Sequence, residues 1–464
     1  MAKITILGAG VCGLAAGVLL AREGHEATLI ERDAAPIPES VDEAWEDWSR
    51  DGVTQFRQAH FLAAAGAGVL RDEMPDVLES LVAAGATRFE APTVLPTDAD
   101  GTTAHTDERF VTYTARRPVI ERVFANVAAE QSGVEVRRGV SVSDLVIEER
   151  DGAPHVAGVR VDSGDELHGD LVIDATGRGS QLPRWLAAAG IGPMHEESED
   201  SGFIYYSRFF RSADGSIPQV TAPLACPLGT FSILTLPSDN GTWSVTAYIS
   251  SGDRPLKRLR EPDAWAAVVR ACPLQAHWLE GEPISEMESM GGIVDRYRRP
   301  FDDGKPLFTG LALLGDAWAC TNPSLGRGIS LGLMHAKHLR DTVGSHLDDP
   351  LEFVQAWDAV TQEKLAPWYR ETVEEDRARL HEIDALRNGR APEHAGDLRS
   401  ELPTAMIYDP ELFKAFIESR CCLTTLNESF ARDGVAERIR ALASEHESVP
   451  FPAPSREELL ELLA

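Results

Sequence analysis

The sequence predicts an α/β protein in which a parallel sheet is interrupted by a β-rich insert and followed by a helical region. Three observations indicate this class. A β-α-β pattern opens the chain, aromatic-rich runs with a period of two residues dominate from about 200 to 300, and an α/β pattern returns after Gly310. The expected parts are a first α/β part at 1–185, an insert at 186–300, a returning α/β part at 301–350 and a helical region at 351–464.

The opening unit contains a β-branched run, a glycine turn, an Ala/Leu-rich helix and a second strand. Their expected bounds are Ile4–Leu7, Gly8–Gly13, Leu14–Glu23 and Ala27–Ile30. Further strands of this part are expected at Val134–Val142, Ala157–Val161 and Asp170–Ile173.

The insert is expected to consist mainly of strands. Phe203–Phe210 is rich in aromatic residues, and the runs Phe231–Leu236 and Trp243–Ile249 flank the turn sequence S-D-N-G, which predicts a β-hairpin. After the insert, Leu311–Leu314 is expected to be a strand and Gly328–Leu339 a helix. The α/β part is therefore expected to be discontinuous along the chain.

Composition and charge exclude several classes of protein. The 464 residues are 43% apolar and 25% charged, and 44 basic against 74 acidic residues give a net charge of −30, which disfavours binding to nucleic acids and anionic membranes. The six cysteines form no C-x-x-C pair, which argues against structural zinc and a secreted disulfide scaffold. The N-terminus lacks the apolar core of a signal peptide, and no apolar run reaches about 18 residues. We therefore expect a cytoplasmic protein without membrane insertion.

The turn from Gly8 to Gly13 has the pattern G-x-G-x-x-G between a strand and a helix. Glycines at this spacing allow a tight turn, close approach of the backbone to a pyrophosphate, and close packing of the helix. Glu31 ends the second strand, where a carboxylate binds ribose hydroxyls and repels a 2′-phosphate, an exclusion that the adjacent Arg32 softens slightly. These features predict binding of FAD or NAD rather than NADP. The alternative is a structural turn followed by a surface glutamate, with Cys12 as a small packing residue.

A second group of residues follows the strand that ends at Leu314. Asp316, in G-D-A, can accept hydrogen bonds from a ribityl chain. In the segment N-P-S-L-G-R-G, Pro323 and the two glycines let the backbone pass against a flat ring, and the helix that begins at Gly328 directs its N–H groups at whatever lies there. The alternative is an ordinary β-α loop.

The order of these motifs resembles that of the FAD-dependent monooxygenases of the para-hydroxybenzoate hydroxylase fold. The motifs are G-x-G-x-x-G, an arginine, D-A-T-G, G-D-A and N-P-x-x-G-x-G, and the likeness covers roughly residues 1–345. It is closer to the branch that contains bacterial polyether epoxidases and squalene epoxidase. The resemblance implies a Rossmann-like FAD-binding domain of the GR2 type with an inserted substrate-binding sheet.

Carried over by position, the resemblance implies a set of residues that contact FAD. They are Gly8, Gly10, Cys12, Gly13, Glu31, Arg32, Arg57, Arg117, Asp174, Gly177, Gly315, Asp316, Pro323, Gly326, Gly328 and Ile329. Arg57 lies in the stretch Gln55–His60, which is similar to a Q-x-R-x-x-H stretch of the epoxidase branch but is equally consistent with an ordinary salt bridge and cap at a helix start.

The segment from Asp174 to Arg184 departs from the D-G-x-x-S-x-x-R of aromatic hydroxylases, which is tied to the reduced pyridine nucleotide. The source of electrons therefore stays open between direct reduction by NADH or NADPH and a partner flavin reductase.

The activity that the resemblance implies is insertion of one oxygen atom from O₂ into an apolar or aromatic substrate through a flavin C4a-hydroperoxide. Hydroxylation and epoxidation both fit, with a role in secondary metabolism, and no catalytic side chain is expected, because the cofactor carries the chemistry while the protein positions the substrate and excludes water. The expected substrate-binding residues are Phe203, Tyr205, Phe231, Ile233 and Trp318. The two-residue period does not say which strand face meets the flavin, and Trp318 either forms an apolar wall or only packs.

Two further possibilities remain in view. A flavoprotein reductase of the geranylgeranyl-reductase type shares the G-x-G-x-x-G and G-D-A framework and is the alternative function. His335 and His338 stand three residues apart on the expected helix, a spacing that can bind a metal, but no third ligand is evident, so no metal site is expected.

Overall fold

The computed structural model describes residues 1–91, 107–391 and 397–464. Its strands are β1 (Lys3–Leu7), β2 (Glu26–Glu31), β3 (Phe61–Leu62), β4 (Thr87–Glu90), β5 (Val111–Thr114), β6 (Val134–Arg138), β7 (Val142–Arg150), β8 (Ala153–Val161), β9 (Glu166–His168), β10 (Leu171–Asp174), β11 (His195–Asp200), β12 (Phe203–Arg211), β13 (Ala225–Leu228), β14 (Phe231–Pro237), β15 (Thr242–Ser250), β16 (Glu282–Pro283), β17 (Glu288–Met290), β18 (Val294–Arg299), β19 (Phe301–Asp302), β20 (Lys305–Pro306), β21 (Leu311–Leu313) and β22 (Ala319–Cys320).

Its helices are α1 (Val11–Arg22), α2 (Val41–Glu46), α3 (Ala64–Glu73), α4 (Pro75–Ala83), α5 (Arg117–Glu130), α6 (Leu182–Ala188), α7 (Pro262–Arg270), α8 (Gly328–His346), α9 (Pro350–Val360), α10 (Ala366–Arg387), α11 (Leu398–Ala405), α12 (Pro410–Arg420), α13 (Leu426–Phe430), α14 (Val435–Glu445) and α15 (Arg456–Leu462). A π-helical turn at Thr361–Leu365 joins α9 to α10.

A five-stranded parallel sheet in the order β21-β10-β1-β2-β6 forms the centre of the first α/β part. Helix α1 is buried along most of its length, and a methyl group added at Gly17 would lie 2.9 Å from Leu29 of β2, so this glycine allows the helix to approach the sheet closely. Strand β21 joins the sheet only after the insert. The predicted α/β class and the discontinuity of this part are confirmed, whereas the boundaries at 185, 300 and 350 remain a prediction.

The insert contains an antiparallel sheet in the order β13-β14-β15-β12-β16, with β17 also paired to β12. The predicted hairpin is confirmed, because β14 and β15 pair up to Pro237 and Trp243, and Asn240 and Gly241 of the connecting turn have φ values of +52° and +67°. One face of this sheet is covered by α7 and by Leu459 and Leu463 at the far end of the chain.

The C-terminal segment is fixed to the insert by polar contacts as well. Arg258 donates hydrogen bonds to the backbone carbonyl groups of Leu463 and, at 2.6 Å, of Ala464. Arg456 pairs with Asp253 at 2.8 Å. Helix α15 thus completes the outer layer of the insert, about two hundred residues after the strands that it covers.

Two expected elements differ from the structure. The run expected as one strand at Val134–Val142 is divided at Gly139, whose φ is +72°, so β6 stays in the central sheet while β7 enters a separate sheet with β8 and β9. Helix α8 continues past Leu339 to His346, because Thr342 and Val343 extend its buried face.

The described residues contain neither a membrane-spanning helix nor a group of metal ligands. Within the described ranges, no helix is long and apolar enough to cross a membrane. Among the same residues, no three His, Cys, Asp or Glu side chains lie together in a group that could hold a metal ion.

Candidate active site

The first glycine turn connects β1 to α1, and its glycines have different surroundings. Gly8 has a φ of +93°, and a methyl group added there would lie 2.8 Å from the carbonyl oxygen of Ala175. A methyl group on Gly13 would lie 2.2 Å from the carbonyl oxygen of Gly8. On Gly10 it would meet no atom within 4 Å. The turn is therefore open at Gly10, where the free N–H groups at the start of α1 can meet an anion.

Glu31 ends β2 beside this turn and is buried. Its carboxylate accepts hydrogen bonds from the backbone N–H groups of Ala9 at 2.9 Å and Asp33 at 3.0 Å, and it pairs with Arg50 at 2.5 Å. Arg50 also pairs with Glu121 at 2.7 Å. The carboxylate is thus fixed next to the turn, in the position from which an acidic residue binds the ribose of a dinucleotide.

Arg50, and not Arg32, is the cation in contact with Glu31. Arg32 is exposed, and its guanidinium covers Gly52, where an added methyl group would lie 2.9 Å from Nη2. Sequence reasoning missed Arg50 because it follows Glu31 by 19 residues and belongs to no motif.

Arg117 opens α5 on the inner side of the site. It is buried and pairs with Glu121 one helical turn later at 2.5 Å. Its positive charge acts to lower the pKa of Cys12 in the first turn, of His60 and of Asp316. Burial lowers the pKa of His60 to about 3, and the nearby Arg117 adds to this shift, so the imidazole is neutral.

Asp174 ends β10 and holds its own turn together. It is fully buried and accepts hydrogen bonds from the backbone N–H of Thr176 at 3.0 Å and from the hydroxyl groups of Thr176 and Ser180, both at 2.5 Å. Gly177 follows with a φ of +72°, and a methyl group there would lie 4.0 Å from Cβ of Asp316. Gly177 therefore faces the G-D-A segment. The hydrogen bonds that Asp174 accepts from Thr176 and Ser180 fix the shape of the turn.

The G-D-A segment forms a short 3-10 turn beyond β21. The backbone N–H of Gly315 donates to Nδ1 of His335 at 3.1 Å. Burial lowers the pKa of His335 to about 3, so the ring is neutral and Nδ1 accepts this hydrogen bond. Asp316 is half-buried, and its removal from water raises its pKa while Arg178 lowers it.

Cys12 packs between the two glycine turns. A methyl group on Gly315 would lie 3.1 Å from its Sγ, and one on Gly332 of α8 would lie 2.2 Å from it. Burial raises the pKa of Cys12 to about 12, so it is a neutral thiol. Its side chain is therefore a packing group at the contact between the early and the late turn.

The loop of residues 322–328 leads into α8. Pro323–Leu325 forms a 3-10 turn that ends at Gly326, whose φ is +65°. A methyl group on Gly328 would meet no atom within 4 Å, whereas the side chain of Ile329 is buried in the core. The open position therefore coincides with the N-terminus of α8, where backbone N–H groups and the helix dipole favour negative charge.

One face of the insert sheet meets these loops. Alternate residues of β12 contact four different segments, as expected for side chains that share a face. The contacts are Phe203 with Ile383 of α10, the Tyr205 hydroxyl donating to Asn322 at 2.8 Å, the Ser207 hydroxyl donating to Gln58 at 2.7 Å, and the ring of Phe209 at 5.0 Å from that of Trp45. Tyr248 of β15 stacks on Tyr205 at 5.2 Å. This face is the candidate substrate surface.

Phe231 and Ile233 lie on the opposite face of the sheet, fully buried against α7. Because side chains alternate along β14, its Ser232, and not these two residues, shares a face with the site. Ser232 is opposite Tyr248, which is in turn opposite Tyr205. The expectation that Phe231 and Ile233 line the substrate chamber is corrected accordingly.

Trp318 packs in the interior of the protein. It is buried and makes T-shaped contacts with Tyr297 at 5.6 Å and with His335 at 5.0 Å. Of the two expected roles, these contacts favour packing, and a role of Trp318 in substrate binding stays a prediction.

The guanidinium group of Arg57 contacts backbone carbonyl groups. It donates hydrogen bonds to the carbonyl groups of Trp45 and, at 3.0 Å, of Trp48, and its guanidinium lies 4.7 Å from the centre of the Trp45 ring. Those carbonyl groups lie at the C-terminal end of α2, so Arg57 caps that helix. The stretch Gln55–His60 forms turns that lead into β3 and starts no helix.

Two buried carboxyl groups near the loop belong to segments without any motif. The backbone N–H of Asn322 donates to Asp295 at 2.5 Å, and its side-chain amide donates to Asp376 at 3.0 Å. Burial raises the pKa of Asp295 to about 6 and that of Asp376 to about 7. No sequence signal could have found them, because they lie 27 and 54 residues from Asn322.

The residues present fit FAD. The open position at Gly10 admits a pyrophosphate, and the carboxylate of Glu31 is placed for a ribose. The half-buried Asp316 suits the hydroxyl groups of a ribityl chain, and the open helix start at Gly328 suits the polar edge of a flat ring.

Comparison with known proteins connects the chain to a family and to several relatives. The family described as FAD binding domain matches residues 1–349. The chain is 30% identical over 350 residues to protein Rv3254 of Mycobacterium tuberculosis, covering 72% of this chain and 71% of that protein. It is 25% identical to kynurenine 3-monooxygenase of Xanthomonas oryzae pv. oryzae, covering 78% and 76%. Its fold is similar to that of PqsL, a probable FAD-dependent monooxygenase of Pseudomonas aeruginosa, with a TM-score of 0.61, 18% identity and coverage of 84% and 98%.

Proposed function

We propose that this chain, which belongs to the family of the FAD binding domain and is an FAD-dependent monooxygenase, inserts one atom of O₂ into an apolar or aromatic organic substrate. The observation that carries the proposal is that three turns lie against one another. Gly8 adjoins Ala175, Gly315 adjoins Cys12, and Gly177 adjoins Asp316. The hydrogen bond from Tyr205 to Asn322 joins the neighbouring loop of residues 322–328 to the insert sheet.

Bound FAD would supply the electron transfer and the activation of O₂. The role of the protein is to bind the cofactor, to hold the substrate near the loop of residues 322–328 and to exclude water. Phe203, Tyr205, Ser207 and Phe209, on the face of β12 that meets the site, are all buried, so the insert can exclude water there. The side chains that β12, β14 and β15 contribute to the candidate substrate surface are aromatic, aliphatic or neutral and polar, which favours an uncharged aromatic or apolar substrate. They include Phe203, Tyr205, Ser207, Leu234, Thr246 and Tyr248. Strand β17 adds one acidic residue to this face, Glu288, opposite Ser207.

Both hydroxylation and epoxidation are compatible with this surface, and epoxidation is the reaction of the branch that the segment D-A-T-G-R-G-S resembles. We propose NADH or NADPH as the source of electrons, acting directly or through a flavin reductase.

The test is reconstitution of the purified protein with FAD, followed by turnover under ¹⁸O₂. Phenol and indole serve as uncharged aromatic probes and squalene as an apolar probe, with NADH or NADPH and with or without an added flavin reductase. We expect a yellow protein with one FAD per chain and a product that carries a single ¹⁸O atom. A protein that stays colourless with FAD would contradict the proposal, as would reduction of a double bond in a probe without ¹⁸O, which is the result expected for a reductase.

A further inference from the structure

One face of α10 lies along the loop of residues 322–328. Five side chains of this helix are spaced at three or four residues, which places them on a single face. They are Trp368, Glu371, Thr372, Glu375 and Asp376. Each has a contact with the loop, and the contacts fall at its two ends.

At the C-terminal end of the loop the anchor is Arg327, which is 2% exposed. Its guanidinium pairs with Glu371 at 2.7 Å, donates to the hydroxyl of Thr372 at 3.2 Å and lies 5.1 Å from the ring centre of Trp368. It also donates to the hydroxyl of Ser419 in α12 at 2.8 Å. A buried guanidinium with this many partners is held in one position, and Arg327 directly precedes the first residue of α8.

At the N-terminal end the anchor is Asn322, which is also 2% exposed. Its amide Nδ2 donates to Asp376 at 3.0 Å, and its Oδ1 accepts from the hydroxyl of Tyr205 at 2.8 Å. Because Oδ1 accepts from the tyrosine hydroxyl, Nδ2 is left to donate to an oxygen of Asp376, which can accept this hydrogen bond in either protonation state. Asn322 directly precedes Pro323, so fixing its side chain fixes the start of the turn.

We propose that α10 is a two-point clamp that holds the loop of residues 322–328 in the conformation that receives the flavin ring, with Asp376 and Arg327 as positioning residues. This inference rests on the proposed function. The match to the FAD-binding family ends at residue 349, so the clamp assigns a role at the cofactor site to a part of the chain beyond that domain.

The clamp matters because FAD can bind well only to the fraction of molecules in which the loop already has its bound conformation. The apparent dissociation constant rises in proportion as that fraction falls. Helix α10 also reaches the insert, where Arg379 donates to the carbonyl groups of Gly229 at 2.7 Å and Phe231 at 2.8 Å. The helix therefore fixes the loop relative to the candidate substrate surface.

The test compares four substitutions on α10. Asp376→Leu removes the acceptor for Asn322, and Asp376→Asn keeps an oxygen that can accept. Asp384→Leu is the matched control, because Asp384 lies on the same helix with its side chain 57% exposed. Thr372→Val adds a shape-conserving change at the other anchor, for use if Asp376→Leu fails to fold.

Two measurements are made on each protein, namely amide hydrogen exchange of the segment 322–328 before FAD is added and the dissociation constant for FAD. For Asp376→Leu we expect exchange and the dissociation constant to rise about tenfold, the effect of losing one buried hydrogen bond. Asp376→Asn should stay within about threefold of the wild type, and Asp384→Leu should not differ from it. Thr372→Val should raise both quantities by about threefold.

Unchanged exchange and an unchanged dissociation constant in Asp376→Leu, or in Thr372→Val if the former does not fold, would overturn the clamp. A wild-type protein that takes up no FAD would overturn the proposed function and the role of the clamp in FAD binding. The exchange measurement would still decide whether α10 holds the loop.

Discussion

The glycines of the first turn separate the requirements of folding from those of binding. A methyl group on Gly13 would lie 2.2 Å from a backbone oxygen, a distance that the backbone can relieve only by moving. Gly10 has a φ of −80°, is the N-cap of α1, and has open space around its missing side chain. Gly13 is therefore needed for the packing of the helix, whereas Gly10 leaves room for the ligand.

We expect Gly13→Ala and Gly10→Ser to have opposite effects. Gly13→Ala should lower the free energy of unfolding of the FAD-free protein by roughly 1–3 kcal/mol through overpacking. Gly10→Ser should leave that free energy within about 0.5 kcal/mol, because serine is a good N-cap, yet weaken FAD binding by at least about tenfold, because its hydroxymethyl group enters the pyrophosphate space. Urea denaturation and FAD titration check both, and equal FAD affinity of Gly10→Ser and the wild type would contradict the assignment of this space.

Asp376 also makes stability depend on pH. Burial raises its pKa to about 7, whereas the carboxyl group of aspartate in an unfolded chain has a pKa of about 4. Between these values the folded protein holds a proton that the unfolded chain releases, so the free energy of unfolding falls as the pH rises through this window. Asp295, Glu375, Tyr205 and Tyr248 are the titratable groups around it.

Asp376→Asn has no such proton, so its free energy of unfolding should rise relative to that of the wild type as the pH increases from 5 to 8. Urea denaturation at pH 5, 6, 7 and 8 measures the difference between the two proteins. Asp384→Asn, at an exposed position of the same helix, should show no such trend. A constant difference for Asp376→Asn over the whole range would mean that Asp376 titrates with an ordinary pKa.

At the scale of secondary structure elements, the insert hairpin is tied to the α/β part by a fully buried ion pair. Asp239, in the turn between β14 and β15, accepts from the backbone N–H of Arg116 at 2.7 Å and pairs with its guanidinium at 2.6 Å. The side chains of both residues are 0% exposed. Arg116 directly precedes α5, so this one contact sets the hairpin against the start of that helix.

Asp239→Ala should lower the free energy of unfolding by about 3–5 kcal/mol, because it leaves the buried charge of Arg116 without a partner. Chemical denaturation measures the loss, with the exposed Asp348→Ala as the control that should change little. A loss below about 1 kcal/mol would show that water reaches Arg116 once the aspartate is removed.

Some secondary structure elements could be predicted from the sequence, whereas the orientation of others could not. The opening β-α-β unit and the hairpin were predictable because a hydrophobic period, glycine positions and turn residues agree there. The face of β14 that meets the site was not, because a two-residue period is symmetrical between the faces and both faces of the insert sheet are buried. Phe231 and Ile233 were therefore assigned to the site although they pack against α7.

For the whole molecule, the residues of the proposed cofactor site come from parts of the chain that no local pattern connects. Gly8, Glu31 and Asp316 were predictable from their motifs and their place at strand ends. Arg50 and Asp376 were not, because contacts between distant segments depend on how the helices pack and leave no spacing to recognise.

The position of α15 has a consequence for synthesis of the protein. Arg258 contacts Leu463, which is made 205 residues later, and at about 5–20 residues per second that distance corresponds to roughly 10–40 s of elongation on the ribosome. Throughout this interval the layer of the insert that contains Trp265 lacks the side chains of Leu459 and Leu463. The nascent chain therefore presents apolar surface to chaperones, and to its neighbours on the same messenger RNA, until its last helix emerges.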